Sequence, residues 1–213
     1  VSSDVLVTTP AQRQTEPHAE AVSRNRRQQA TFRKVLAAAM ATLREKSYVD
    51  LTVRLVAARA KVAPATAYTY FSSKNHLIAE VYLDLVRQVP CVTDVNVPMP
   101  IRVTSSLRHL ALVVADEPEI GAACTAALLD GGADPAVRAV RDRIGAEIHR
   151  RITSAIGPGA DPGTVFALEM AFFGALVQAG SGTFTYHEIA DRLGYVVGLI
   201  LAGANEPSTG GSE

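Results

Sequence analysis

The chain has 213 residues, and 48% of them are hydrophobic, so it is long enough and apolar enough to bury a core, which argues against disorder. Formal net charge is zero, yet Arg24 to Leu77 holds eleven basic residues against two acidic ones, Glu45 and Asp50, and the rest of the chain cancels that surplus of nine. A basic head on an acidic body suits a head that meets a polyanion. No uncharged apolar run reaches the roughly 18 residues of a membrane span, and Val1 to Glu20 lacks the pattern of a secretory signal, so a cytoplasmic protein is expected.

Residues 1–22 are rich in Ser, Thr, Gln, Glu and Pro and read as a flexible tail. From about Asn25, Phe32, Val35, Leu36, Ala39, Met40 and Leu43 recur at three- and four-residue steps, which predicts a helix ending near Lys46. Thr52 is placed to cap a second short helix over Val53 to Ala60, its hydroxyl accepting a free backbone N–H. Lys61-Val62-Ala63 is a turn, and Pro64 suits the first position of a third helix ending near Phe71. Ser72 or Ser73 then caps a longer helix, Lys74 to about Val89. The proline-bearing stretch Pro90 to Pro100 breaks the pattern. Beyond it, helices are expected over Ile101–Ala115, Pro118–Leu129, Pro135–Ile156, Gly163–Gly180 and Tyr186–Ala202, with a Gly/Ser/Pro-rich tail at 205–213. No stretch alternates with period two, so the expected class is all-α: a head over 23–73 and a helical body over 74–204, opened by a linking helix at 74–89.

The informative stretch is LTVRLVAARAKVAPATAYTYFSSKNHL, Leu51 to Leu77. Two short helices joined by a three-residue turn make a helix-turn-helix, whose second helix can enter a DNA major groove. Val62, Ala67 and Phe71 supply its inner face, and Pro64, Ala65, Thr66, Tyr68, Thr69 and Tyr70 its outer one. Thr52, Ala60, Val62, Thr66, Tyr68, Tyr70, Phe71, Lys74 and Leu77 match the pattern of the TetR family of bacterial transcriptional regulators, which this stretch closely resembles. Lys61 stands where that family usually has glycine, and Ala63 where it usually has a serine cap. The resemblance implies phosphate contacts from Thr52, Thr66, Tyr68, Tyr70 and Lys74. It places Arg54 where a guanidinium can reach a guanine edge, and Pro64 and Ala65 against thymine methyls. Arg24, Arg26 and Arg27 either reach an adjacent phosphate or the minor groove, or stay solvated.

In the body, Gly163, Ala167, Ala171, Ala175 and Ala179 on one helix, and Ala190, Gly194, Gly198 and Ala202 on the next, place small residues every fourth position. Such stripes let another backbone approach closely. The resemblance implies that these two helices pair with their copies in a homodimer. It also implies a pocket for a hydrophobic small-molecule effector, for which Leu107, Leu110, Leu128, Phe166, Met170 and Phe173 are candidate walls, with His109, His149, Glu169 and Gln178 as polar handles.

Cys91 and Cys124 form no CxxC pair, and Cys124 reads as a buried thiol. No phosphate-binding glycine loop, metal-spaced His/Cys set or GxSxG elbow occurs, so neither an enzyme nor a metal or cofactor is expected. The leading expectation is a repressor that binds a palindromic operator as a dimer and lets go when a ligand binds. The alternatives are a regulator without a small ligand and a helical interaction protein whose basic head binds another polyanion.

Overall fold

The structure, a computed structural model, describes residues 16–92, 94–130 and 133–204, with side chains from Asn25 onward. Among these residues are nine α-helices and no strand. The head contains α1 (Glu16–Leu43), α2 (Val53–Arg59) and α3 (Pro64–Tyr70). α4 (Lys74–Gln88) links it to α5 (Met99–Ala111), α6 (Pro118–Asp130), α7 (Pro135–Ile156), α8 (Pro162–Gly180) and α9 (Tyr186–Ala204). A 3₁₀ turn at Leu112–Val114 ends α5 earlier than the sequence pattern suggests.

One boundary is corrected. α1 begins at Glu16, inside the stretch expected to be a flexible tail. Pro17 falls in its first turn, where a missing N–H costs nothing, and no glycine or proline interrupts the chain from there to Leu43. The expected tails over 1–15 and 205–213 lie outside the described residues.

Local chemistry fixes the other starts. The N–H of Leu55 donates to Thr52 Oγ1 (3.1 Å), and that of His76 to Ser73 Oγ (3.0 Å), so Thr52 caps α2 and Ser73 caps α4. Asp134 and Asp161 cap α7 and α8 in the same way. A continuous apolar cluster runs from Val35 on α1, through Ala67 and Phe71 beside α3 and Leu77 to Val86 on α4, to Leu201 on α9. α4 carries eight buried residues and packs against α1, α6 and α7, so the head is mounted on a helix that is itself part of the body's core.

Candidate nucleic-acid interface and body cavity

The turn between α2 and α3 closes by two backbone bonds. Lys61 N–H donates to Ala58 O (3.1 Å) and Val62 N–H to Ala57 O (2.9 Å), the Schellman pattern at a helix C-terminus. That pattern needs a left-handed residue at the first position past the cap, and Lys61 takes it with φ of 52°. Lysine therefore bears there the strain that glycine would avoid. Ala63 makes no side-chain cap, and Pro64 opens α3 instead.

On α3, Ala67 is fully buried and Phe71 closes the helix from below, stacked on Phe32 of α1 at 5.1 Å. Pro64, Ala65, Thr66, Tyr68 and Thr69 face solvent, as do Thr52 and Arg54 on the adjoining end of α2. Two expected outward residues are placed otherwise. Tyr70 is half-buried, edge-on to Phe32 at 6.1 Å, so its ring helps to hold α3 on α1. Lys74 is half-buried too: Nζ donates to the carbonyls of Tyr48 (3.0 Å) and Val49 (3.5 Å) and lies 4.3 Å from the centre of the Tyr48 ring. Its charge is committed to the turn after α1, because the carbonyls there have no helical partner and an ammonium satisfies them.

Part of the basic surplus is spent internally. Arg59 pairs with Glu45, and Arg44 pairs with Glu117 at the start of α6. Arg26, Arg27, Arg33, Lys34, Lys46, Arg54 and Lys61 are exposed and enter no salt bridge among the described residues. Among the described residues the head thus keeps seven cations outside salt bridges, and the count of basic residues alone does not tell these from the paired ones.

In the body, α4, α6, α7, α8 and α9 enclose a cavity of about 390 Å³, within the range of small-molecule sites. Leu128 and Phe173 line it, as expected; the other walls include Tyr82, Cys124, Ile144, Leu176 and Tyr186. Of the other expected wall residues, Leu107 and Leu110 are fully buried in the core along α5, whereas Phe166 (62% exposed) and Met170 (57% exposed) stand on the outer side of α8, where each lines another surface pocket. None of His109, His149, Glu169 and Gln178 lines the cavity, and His149 Nδ1 instead meets Glu169 Oε1 at 2.8 Å. Two glycines shape the walls. A Cβ on Gly121 would fall 2.4 Å from the Tyr186 hydroxyl, and one on Gly180 would fall 2.2 Å from Thr125 Oγ1. Burial pushes the Cys124 thiol up to about 12, and its Sγ faces Ile78 O of α4 at 3.9 Å.

The small-residue stripes are only partly outward. Ala179 and Ala190 are buried within the chain, and Gly194 faces Thr104 of α5, 3.4 Å from where a Cβ would stand. Ala167, Ala171 and Ala175 are half-buried; Gly198 and Ala202 are exposed. A four-residue step overshoots one turn by about 40°, so each stripe spirals around its helix instead of staying on one face. The face left uncovered on α8 and α9 carries Phe166, Met170, Gly174, Tyr195 (73% exposed), Gly198 and Leu199. α8 is long and apolar enough to cross a membrane by composition alone; Glu169 at its middle and its packing on α6, α7 and α9 fit a bundle helix.

A helix-turn-helix with an outward second helix, mounted on an all-α body, defines a DNA-binding transcriptional regulator. Residues 35–81 match the family model described as bacterial regulatory proteins, tetR family. Over its full 213 residues the chain is 99% identical to HTH-type transcriptional regulators of Mycobacterium tuberculosis and Mycobacterium bovis, covering all of each relative. The fold is similar to a TetR regulator from Rhodococcus sp. RHA1, with a TM-score of 0.70 at 20% identity, covering 84% of this chain and 98% of that one. It is also similar to FadR of Thermus thermophilus, a repressor solved with lauroyl-CoA, with a TM-score of 0.61 at 17% identity, covering 85% and 99%. The chain belongs to the TetR family of bacterial transcriptional regulators.

Proposed function

We propose that the protein is a cytoplasmic, dimeric repressor that binds a two-fold symmetric operator and releases it when an apolar effector fills the body cavity. The outward face of α3 carries this reading: Pro64, Ala65, Thr66, Tyr68 and Thr69 stand exposed above a fixed inner face. Thr52, Thr66, Tyr68 and Thr69 supply hydroxyls for phosphate, and Lys46 and Lys61 the nearby charge that Lys74 was expected to give. Tyr70, half-buried against Phe32, keeps a lesser role. Arg54, exposed and in no salt bridge among the described residues, is the base-reading side chain, suited to guanine O6 and N7.

A dimer is supported by the uncovered apolar face of α8 and α9, in which Phe166, Met170, Tyr195 and Leu199 flank Gly174, Gly198 and Ala202. Two copies joined there set two α3 helices for successive major grooves, one helical turn or a multiple apart. Effector release is supported by the cavity and by its wall on α4, the helix that mounts the head. A ligand acts only if it prefers one head arrangement over the other. T. thermophilus FadR, a repressor of the same fold solved in complex with lauroyl-CoA, is a precedent for a ligand with an apolar acyl chain.

A mobility-shift titration against the DNA upstream of the protein's own gene tests the reading. Wild type should bind selectively and with steep salt dependence. Arg54→Ala should lose roughly tenfold or more in preference for the operator over its base-substituted versions, with nonspecific binding nearly unchanged. Binding that depends on salt but ignores sequence would instead favour a head that grips any polyanion.

A further inference from the structure

The cavity between α4, α6, α7, α8 and α9 has an apolar interior and a single charge on its wall. Tyr82, Cys124, Ile144 and Tyr186 are buried and close it from within. Their polar atoms are not open to a guest. The Tyr82 hydroxyl has essentially no accessible surface, Tyr186 pairs with Thr125, and the Cys124 thiol faces Ile78 O. A hydrogen-bonding group carried into this interior would lose its water and find no replacement, which costs affinity. The part of a ligand that enters must therefore be hydrocarbon-like.

The open side differs. Leu129, Arg141, Phe173 and Val177 are exposed there, and Arg141 is the one charged residue of the wall. Elsewhere in the body, Arg108, Arg143, Arg150 and Arg151 each pair with a carboxylate. Arg141 has no such partner among the described residues. One of its N–H groups donates to Leu128 O near the end of α6, and the rest of the guanidinium fork has no acceptor among those residues. A guanidinium beside an apolar rim holds an anion more firmly than one surrounded by water, and an anion that stays at the rim avoids the cost of full burial.

We propose that the effector is an amphiphile with a single acid group, whose hydrocarbon body fills the cavity while its anion pairs with Arg141 at the mouth. One guanidinium on the wall matches one acid group. An uncharged molecule of the same shape lacks that pair, and an acid with a hydroxyl at its far end brings into the interior a group that the wall leaves unsatisfied. Arg141 lies on α7 two residues before Arg143, whose pair with Glu80 ties α7 to α4. A ligand held at Arg141 therefore sits on a helix fastened to the mount of the head. The inference rests on the effector reading above and names the chemistry of its ligand.

The test measures binding to the full chain by calorimetry. Probes are straight-chain acids from octanoic to palmitic and the fused-ring cholanic acid. Each is set beside its primary alcohol, its primary amine and the acid hydroxylated at the remote end, with lauroyl-CoA as a thioester. Wild type should bind at least one acid about tenfold more tightly than its alcohol, and about tenfold more tightly than its remotely hydroxylated form. Arg141→Gln, at an exposed position, should keep the affinity for the alcohol and lose the preference for the acid. Arg141→Lys should retain that preference, and Arg141→Glu should turn it toward the amine. Leu176→Trp and Leu128→Trp, each of which fills the cavity, should weaken acid and alcohol together. The proposal is overturned by equal binding of acid and alcohol in wild type, by an acid preference that survives in Arg141→Gln, or by undiminished binding in the folded tryptophan variants. Binding of the thioester where no free acid binds, or no binding by any probe, overturns it as well. Operator release is read separately by mobility shift. Alcohols that bind and release DNA as well as the acids do would keep the effector reading and sink this inference. Acid-selective binding that is lost in Arg141→Gln but never releases DNA would do the reverse.

Discussion

Lys61 takes a left-handed backbone at φ of 52°, where glycine is at ease and lysine is not. Lys61→Gly should therefore raise stability by about 1 kcal/mol in chemical denaturation, the size of the left-handed penalty. A loss of stability would mean that the lysine stem makes packing contacts worth more than the strain. This departure from the family pattern was legible in the sequence, because a helix-turn-helix turn is local and its backbone demands depend on residues a few positions apart. The roles of Lys74 and Tyr70 were not, because their partners Tyr48, Val49 and Phe32 lie outside the motif. The cysteines give a second residue-scale prediction. Cys91 is exposed, whereas Cys124 is buried with its thiol pushed up to about 12, far from ionised at neutral pH. A thiol reagent at pH 7 should label Cys91 quickly and Cys124 only on unfolding. Rapid labelling of both would show that α4 and α6 part readily.

At the scale of the element, α4 is clamped along its length. Ser73 Oγ donates to Asp134 at the start of α7 (2.8 Å), and Arg143 of α7 pairs with Glu80. Buried Arg151 donates to Val89 O (2.6 Å) at the far end and pairs with Glu147 (2.9 Å). Burial pushes the Glu80 carboxyl up, but hydrogen bonds from His76 and Arg143 hold it, on balance, below its ordinary value. A carboxylate depressed in the folded state contributes stability above its unfolded pKa, and that contribution is lost as pH falls through the folded value. Glu80→Gln should therefore be less stable than wild type at neutral pH, and the gap should close below about pH 5, as followed by thermal melts. Parallel acid profiles for the two proteins would assign the acid response to other groups. None of this bracing was readable in advance, since its partners lie sixty or so residues apart in the sequence. The helices themselves were readable, because proline or a capping side chain opens most of them and glycine closes two.

For the whole molecule, Phe166 and Met170 carry the main lesson. Periodicity identified them as apolar residues on a helix, but which side of α8 its neighbours cover is a tertiary fact, and they turned out to face solvent. Their exposure, together with that of Tyr195 and Leu199, is the surface a second copy should cover. Leu199→Asp, which puts a charge on an exposed position of that face, should shift the protein from dimer to monomer in sedimentation and should weaken operator binding more than any single phosphate contact. A dimer that survives with full affinity would locate the interface elsewhere. The central claim, that α3 of each of two copies reads a duplex, is tested most directly by footprinting the protein on its bound DNA. The account predicts two protected half-sites related by a dyad, with contacts weakened in both halves by Tyr68→Ala. A single protected stretch without symmetry, or a footprint unchanged by that substitution, would contradict it.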